Sequence, residues 1–378
     1  MILKEKLNIS VCLIMHLLFY ECTFEKANDN NYIKFNVSGS YSEKEIGLEE
    51  VAEIEYLQIE LCDDFLFSEP PAVVTKDYVI ICRYIVGDIL IFSRDGKPIS
   101  KFNHRGKGPG EYSYIEKLLY DESSDEIFIK SANKIMVYSL SGKFIREINL
   151  LGMYIREVFV FDSETLLLYD DYNLYPSPFS LISKKDGSVV DSIKIPKGEK
   201  IELFILLKDR SVILIAPAYH IVNYKSGYLL TDFSIDTVYF LSPDKTLYPI
   251  LSKTPTIKSM DPIVYLNSFI EAGNYSFVTA ITVRNENNSL PRTYLMRDKK
   301  SGSIYRQKIT FSDYKGKEVY LSPETISNTQ NCKLGLINMD LTELQDANSE
   351  NKLSGRLKEL VDNSDEDGNT IFMLLHFK

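Results

Sequence analysis

Two stretches of the sequence, VGDILIFSRDGKPISKFN (86–103) and ANKIMVYSLSGKFIREIN (132–149), align without a gap. Each reads as an apolar strand, a tight turn at Gly-Lys and a second strand of alternating pattern. A further apolar run precedes each of them, DYVIICR (77–83) and DEIFIKS (125–131). The repeated unit is therefore predicted to be an antiparallel sheet of at least three strands.

The same strand–turn–strand pattern returns three more times along the chain. Its turns lie at Asp186-Gly187, Asp244-Lys245 and Ser301-Gly302. A recurring unit of about 40–60 residues with several strands is typical of a β-propeller. A β-sandwich, the alternative all-β architecture, would not repeat its own sequence. The five turns predict five blades.

A sixth blade is predicted from the two ends of the domain, EVAEIEYLQIEL (50–61) and NTIFMLLHFK (369–378). Pairing these segments would close the ring and remove exposed sheet edges. The segment 340–361 has leucines at helical spacing and predicts a short helix near the C-terminus. The predicted fold is therefore all-β, a six-bladed β-propeller closed by its N- and C-terminal strands.

The N-terminus carries the features of an export signal. Lys4 and Lys6 precede an apolar run over residues 7–20, which is too short for an ordinary transmembrane span. We therefore assign 1–22 to a signal peptide, 23–47 to a polar tether and 48–378 to the propeller.

Cys22 follows the apolar run directly, so the segment resembles a bacterial lipoprotein signal with Cys22 as the lipidated residue. Tyr20 and Glu21 stand where that signal has small residues. An ordinary cleaved signal and a short membrane anchor are the alternatives. Each of these predicts an exported protein, located in the periplasm or at the outer membrane, and the lipoprotein signal adds a lipid anchor at Cys22.

Charge and cysteine usage exclude some functions. The net charge of −10 and the lack of a Lys/Arg cluster argue against a nucleic-acid partner. The five cysteines have no metal-ligand spacing. Cys62 and Cys82 lie in apolar runs and are predicted to be buried thiols.

The stretch HRGKGPGEY (104–112) has the glycines of a phosphate loop but not its context. A phosphate loop leads from a strand into a helix, whereas this stretch leads towards the next strand pair. Pro109 also lacks the amide that a phosphate nest would use. We interpret it as a loop crossing between blades, with Arg105, Lys107 and Glu111 available to a ligand.

This stretch and the turns around it resemble a known family, the six-bladed β-propeller proteins exported by anaerobic Gram-negative bacteria. These proteins are related in form to NHL-repeat propellers. The resemblance covers most of the chain after about residue 48. It implies the fold and the location, and no reaction, because the family is mostly of unknown function. The matching residues are Phe102, Gly106, Gly108, Pro109, Gly110, Glu111 and Tyr112, with the turns Asp95-Gly96-Lys97 and Ser141-Gly142-Lys143.

Sets of residues that could carry catalysis or bind a metal are scarce. His104, His220 and His376 have no nearby His or Cys partner in the sequence. The stretch NSDEDG (363–368) begins like a calcium loop, but Leu374 stands where the loop's glutamate would be. No catalytic residue, metal or cofactor is predicted.

The stretch YDDYNLYPSPF (169–179) predicts a long tyrosine-rich loop in the third blade. Tyr172 and Tyr175 could line a binding face, or the loop could pack on its own blade. The sequence thus predicts a non-catalytic exported propeller that binds a peptide, protein or glycan on one face. The alternative is a lyase or hydrolase with its site in the central channel.

Overall fold

The computed structural model describes residues 32–60, 62–150, 152–170, 177–196, 203–206, 212–215, 219–232, 235–284, 290–327, 331–364 and 370–378. The chain folds as a β-propeller whose blades follow one another in sequence.

The three N-terminal strands join sheets that later parts of the chain form. They are β1 (Ile33–Asn36), β2 (Glu43–Gly47) and β3 (Ala52–Gln58).

Among the described residues, five sheets have four or more strands and form the blades. In each blade the strands follow chain order, and the first strand is the inner one, since the first strands of neighbouring blades contact one another. Blade 1 comprises β4 (Pro71–Val74), β5 (Tyr78–Arg83), β6 (Asp88–Ser93) and β7 (Pro98–Phe102). Blade 2 comprises β8 (Lys117–Asp121), β9 (Glu126–Ser131), β10 (Lys134–Ser139) and β11 (Phe144–Asn149). Blade 3 comprises β12 (Ile155–Val160), β13 (Thr165–Asp170), β14 (Phe179–Ser183) and β15 (Val189–Ile193).

A two-stranded hairpin separates blade 3 from blade 4; its strands are β16 (Leu203–Leu206) and β17 (Val212–Ile215). Blade 4 comprises β18 (Ile221–Tyr224), β19 (Gly227–Leu230), β20 (Thr237–Leu241) and β21 (Leu247–Thr254). Blade 5 comprises β22 (Val264–Ala272), β23 (Tyr275–Thr282), β24 (Arg292–Asp298) and β25 (Ile304–Phe311), with β26 (Tyr314–Val319) paired to β25.

The remaining elements in the described residues are two strands, three short helices and two 3-10 turns. They are β27 (Leu334–Met339), β28 (Ile371–Phe377), α1 (Pro323–Ser327), α2 (Leu341–Ser349), α3 (Gly355–Asp362) and the turns Leu48–Glu50 and Ile257–Ser259. None of the helices in the described part of the chain is long and apolar enough to cross a membrane.

The core consists of apolar layers between neighbouring sheets. One layer joins blades 1 and 2, a second joins blades 2 and 3, and a third joins blades 3 and 4. Central strands such as β9 are buried on both faces, because a blade is covered by a neighbour on each side. This explains why these strands read as continuous apolar runs, whereas the outer strands alternate.

The turn glycines of the repeat are set by contacts between successive sheets. Gly96 and Gly142 have φ of +85° and +78°, a conformation that side chains other than glycine rarely adopt. A Cβ on Gly96 would lie 2.0 Å from the carbonyl oxygen of Gln58, and one on Gly142 would lie 2.6 Å from Phe102. Each turn therefore packs closely against the outer strand of the preceding sheet, with no room for a side chain at the glycine.

The prediction of six blades is wrong, because the part of the chain that the structure describes forms five. The segments at the two ends do pair, β28 antiparallel to β3, but they form a three-stranded sheet in the order β27-β28-β3. We call this the terminal sheet. The segment before β27 forms helix α1, which lies against β27 and the inner strands β18 and β22, instead of adding a strand. That the β3–β28 pairing closes the ring stays a prediction.

Three further expectations differ from the structure. The predicted single C-terminal helix is two helices, α2 and α3. Cys82 is buried as predicted, but Cys62 is exposed, since it lies in an irregular crossing rather than in a strand. Strands β1 and β2 lie within the stretch predicted as a polar tether, and they pair in parallel with the outer strands β21 and β25.

Candidate ligand-binding face

The loop 104–112 connects β7 of blade 1 to β8 of blade 2, which confirms the predicted blade crossing. Its backbone is bonded to itself: the Gly106 amide donates to the Tyr112 carbonyl (3.0 Å) and the Tyr112 amide to the His104 carbonyl (3.0 Å). The buried Tyr112 hydroxyl donates to the Gly87 carbonyl at 2.6 Å. The loop is therefore a rigid connection between two blades.

The three charged residues predicted to meet a ligand in this loop have different surroundings. Arg105 and Lys107 are exposed. The Arg105 guanidinium donates to the carbonyls of Ile85 (2.5 Å) and Ser113 (3.3 Å). The half-buried Glu111 accepts a bond from the Gly108 amide at 2.7 Å, so its carboxylate stabilises the loop itself.

Glycine is needed at two positions of the loop for different structural reasons. Gly110 has φ of +74°. Gly106 has an ordinary φ, but a Cβ there would lie 1.9 Å from Oε2 of Glu111. The glycines thus shape the backbone and hold a carboxylate, and they do not form a phosphate cradle.

A cleft of about 590 Å³ lies beside this loop, between blades 2 and 3. Two tyrosines line it and are well exposed, Tyr114 at 46% and Tyr154 at 59%. The other lining residues are Glu116, Lys130, Ala132, Asn133, Gly152, Met153, Ile155 and Arg156. The cleft therefore combines aromatic rings with polar and charged groups.

One wall of the cleft is fixed by an ion pair. The buried Lys130 ammonium donates to the Glu116 carboxylate and to the Ala132 carbonyl, the latter at 3.2 Å. The Ala132 amide donates to the other oxygen of Glu116 at 3.0 Å. Burial, together with the neighbouring Glu116, raises the pKa of Tyr114, so its hydroxyl stays neutral at physiological pH. The ordered wall and the neutral ring suit a preformed site.

The β5–β6 turn adds exposed apolar groups to the same side of the molecule. Ile85 is 82% exposed, and its neighbours Tyr84 and Val86 are about half as exposed. Because Arg105 bonds the carbonyls of both Ile85 and Ser113, this turn is linked to the residue before Tyr114. We call the whole surface the tyrosine face; it comprises Tyr84, Ile85, Val86, Arg105, Lys107, Tyr114, Tyr154 and Arg156.

A second polar cluster lies where blades 3 and 4 meet, at the start of their inner strands. Glu157 accepts bonds from the His220 amide (2.8 Å) and the Ile221 amide (2.9 Å), and His220 Nδ1 lies 2.9 Å from the same carboxylate. The His220 ring stacks on Tyr169 with 3.8 Å between centroids, and the Tyr169 hydroxyl donates to Asp232 at 2.7 Å. We call this set the Glu157 network.

The Glu157 network is electrostatically coupled to its surroundings. Burial would raise the pKa of Glu157, but the bonds from His220 and Ile221 outweigh burial and lower it. Lys117, at the start of β8, lies with its ammonium 5.4 Å from the centre of the Phe159 ring. Burial lowers the pKa of Lys117, and the nearby Glu157 opposes this shift.

The other predicted residues do not converge. His104 Nε2 lies 2.7 Å from the Gly142 carbonyl, and His376 Nε2 lies 2.6 Å from Glu55 between β28 and β3. Among the residues that the structure describes, no group of three or more His, Cys, Asp or Glu is placed to hold a metal. Tyr172, Tyr175 and Cys22 lie outside the described residues, as does most of the stretch 363–368.

Sequence reasoning missed the two tyrosines of the cleft, although a signal for them exists. YIEK (114–117) and YIRE (154–157) occupy corresponding positions before and within the inner strands of blades 2 and 3. In each the isoleucine is buried and the tyrosine is exposed. The two charges after the isoleucine have opposite signs in the two copies. Extending the repeat alignment into the connecting segments would have found them.

Two solved structures resemble the chain, and the first of them supports the fold. A candidate exported protein from Bacteroides fragilis superposes with a TM-score of 0.64 at 15% identity, covering 92% of this chain and 99% of its own. A member of the DUF4221 family from Bacteroides vulgatus gives a TM-score of 0.49 at 13% identity, over 87% of this chain and 99% of its own. No curated protein matches the chain.

A family profile matches residues 32–376, nearly all of the described propeller. The protein therefore belongs to the family called Domain of unknown function (DUF4934).

Proposed function

We propose that this protein is an exported, non-catalytic β-propeller that binds a peptide, protein or glycan on its tyrosine face. The observation that carries the proposal is the open cleft between blades 2 and 3, with an exposed tyrosine from each blade. Exposed aromatic and apolar groups gathered around a concave, polar-rimmed surface are typical of an interaction site.

The rigidity of the surroundings supports binding. The 104–112 loop is closed by its own backbone bonds, and the Glu116–Lys130 pair fixes one wall of the cleft. A preformed site loses little conformational entropy when its ligand binds, which favours affinity. The tyrosines contribute large contact area with few rotatable bonds.

The alternative function, a lyase or hydrolase acting in the channel, rests on the Glu157 network. A general base works best when its pKa lies near the operating pH. The Glu157 carboxylate accepts two backbone amides of the neighbouring inner strand and faces His220, and these bonds lower its pKa instead. We therefore favour a structural role for Glu157, as the group that joins blade 4 to blade 3.

Export is proposed from two observations. The N-terminal charges and apolar run have the order of an export signal, and the structural relative from Bacteroides fragilis is itself a candidate exported protein. Lipidation of Cys22 would anchor the protein to a membrane. Replacing Cys22 with Ala should then move the protein from the membrane fraction to the soluble fraction, and a wild-type protein that is already soluble would contradict the anchor.

We further propose that the terminal sheet closes the propeller ring. Its apolar residues pack on both sides: Leu57 and Phe372 join the layer with blade 1, whereas Met373 and Leu375 join the layer with blade 5. A sheet with three strands can fill this place because α1 lies beside β27.

The function is tested by screening the protein against immobilised glycans and peptides, with Tyr114→Ala and Tyr154→Ala as paired variants. A ligand of the tyrosine face should bind the wild type and lose most of its affinity for both variants. Ligands that bind all three proteins equally would place the binding site elsewhere.

A further inference from the structure

We infer that the ligand of the tyrosine face is an acidic oligosaccharide, whose sugar rings cover the tyrosines while its carboxylate or sulfate groups meet the cationic side chains. The inference rests on the proposed function and narrows it to one chemical class.

The tyrosine face has a local charge opposite in sign to the net charge of the protein. The chain has a net charge of −10, yet its tyrosine face carries the exposed cationic side chains of Arg105 and Lys107. Two carboxylates beside this face already have partners within the protein: Glu116 pairs with Lys130, and Glu111 accepts a bond from the Gly108 amide. The face is therefore locally cationic and complementary to an anion.

Arg105 is positioned to receive that anion. Its guanidinium holds the carbonyls of Ile85 and Ser113 through Nη1 and Nε, which fixes the side chain in place. A guanidinium has five N–H donors, and these two bonds occupy two of them. A held guanidinium with remaining donors suits a carboxylate or sulfate, because it can bond two oxygens at once.

The tyrosines suit a chain of sugars. A pyranose ring has an apolar face of C–H groups, which an aromatic ring can cover. Tyr114 and Tyr154 come from corresponding positions of adjacent blades, so the face presents two similar platforms in succession. Successive sugar rings of an oligosaccharide could therefore pack on the successive tyrosines.

The backbone of this face disfavours a peptide strand. A peptide that adds to a sheet edge needs unpaired amides and carbonyls in a row. In the 104–112 loop, the amides of Gly106, Glu111 and Tyr112 donate to carbonyls of the same loop. The loop thus offers its ligand side chains rather than a strand edge, which suits hydroxyl and carboxylate groups better than an extended peptide.

Titration calorimetry of the full chain, in low salt and again in about 150 mM salt, tests the inference. The probes are an oligogalacturonate, a sulfated chondroitin oligosaccharide, neutral maltoheptaose and hexaglutamate. We expect saturable binding of at least one acidic sugar that weakens with salt, and no binding of maltoheptaose or hexaglutamate. No binding of either acidic sugar, or equal binding of a neutral or peptide probe, would overturn the inference.

Variants separate this inference from the proposed function. Lys107→Glu should weaken acidic-sugar binding by about tenfold, which corresponds to about 1.4 kcal/mol. Lys76→Glu is the matched charge control, since Lys76 is exposed in the turn after β4, at the other end of that strand from the crossing loop. Tyr154→Ala should abolish binding, whereas Tyr154→Phe should retain it because the ring remains.

If a neutral sugar or a peptide binds and Tyr154→Ala removes that binding, the acidic-sugar inference fails and the proposed function stands. If Tyr154→Ala leaves the binding of every probe unchanged, both fail.

Discussion

The tyrosine face and the Glu157 network lie only three residues apart in sequence, at Tyr154 and Glu157, yet the side chains of the face are exposed and those of the network are buried. Tyr154 is 59% exposed, whereas the Glu157 side chain is 15% exposed and His220 is 1% exposed. The carboxylate of Glu157 is used by the protein's own backbone. The contrast indicates that the contacts between neighbouring sheets, which we call the seams, hold the fold together, whereas the side chains of the face are exposed to solvent.

The same contrast exists within one repeated sequence. In YIEK (114–117) and YIRE (154–157), the buried isoleucines serve the core and the exposed tyrosines line the cleft. The charges that follow are Glu116 and Lys117 in one copy and Arg156 and Glu157 in the other. Corresponding positions of neighbouring blades therefore carry side chains of opposite charge. We expect changes in the seams to affect stability strongly, and changes on the face to affect it little.

Removing a whole seam should have the largest effect. Deleting residues 370–378 removes β28, in which Ile371 to Leu375 are all buried, and exposes the apolar surfaces of blades 1 and 5. We expect the cooperative unfolding transition to disappear, as measured by circular dichroism during heating. His376→Ala is the control, because it removes only a partly exposed hydrogen bond to Glu55 and should keep the transition. An unchanged transition in the deletion variant would contradict ring closure by β28.

A single change in a seam should have the next largest effect. Glu157→Ala leaves the amides of His220 and Ile221 without their acceptor, so the free energy of unfolding should fall by about 3 kcal/mol or more. Denaturant titration measures the change. Glu164→Ala, at an exposed position of the same blade, should alter it by less than about 0.5 kcal/mol. Equal effects at the two positions would remove the distinction between seam and surface.

The stability that Glu157 contributes should depend on pH in one direction. Its folded pKa lies below the ordinary value, so the charged carboxylate stabilises the folded state. The contribution is complete above the unfolded pKa of about 4.3 and is lost as the pH falls through the lower folded value. The difference in unfolding free energy between the wild type and Glu157→Gln should therefore stay constant at neutral pH and shrink below about pH 4.3. A difference that grows on acidification would show the opposite pKa shift.

The smallest effect is expected on the face itself. Lys107 is exposed, so Lys107→Ala should change the free energy of unfolding by less than about 0.5 kcal/mol. Gly110→Ala provides the contrast within the same loop, because its φ of +74° is a conformation that alanine rarely adopts. Thermal melts of the two variants should differ, with the alanine at 110 lowering the midpoint. Identical melting midpoints would mean that the loop backbone is more flexible than its hydrogen bonds indicate.

The fold could be predicted from the sequence because the repeat reflects local features of each blade, its turns and its covered strands. Turn glycines such as Gly96 and Gly142 recur where each turn meets the preceding sheet, and apolar runs mark the covered strands. The blade number could not be predicted in the same way. It depends on whether the segment around α1 adds a strand, and tertiary contacts with β18, β22 and β27 accompany the helix there.

The site was only partly predictable for a related reason. The glycine-rich loop stood out, and its position between blades was correctly inferred. Glu111 was expected to be available to a ligand, but its bond to the Gly108 amide is a contact that the sequence does not display. The pairing of Glu157 with His220 joins residues 63 positions apart, beyond the reach of a spacing argument.

The most direct test of the central claim compares stability and binding in one variant of the face. Tyr154→Ala should unfold within about 0.5 kcal/mol of the wild type, because the ring is mostly exposed. The same variant should lose the binding of whichever glycan or peptide the wild type retains in a screen. A variant that is as stable as the wild type and still binds that ligand with unchanged affinity would contradict the assignment of the tyrosine face as the binding surface.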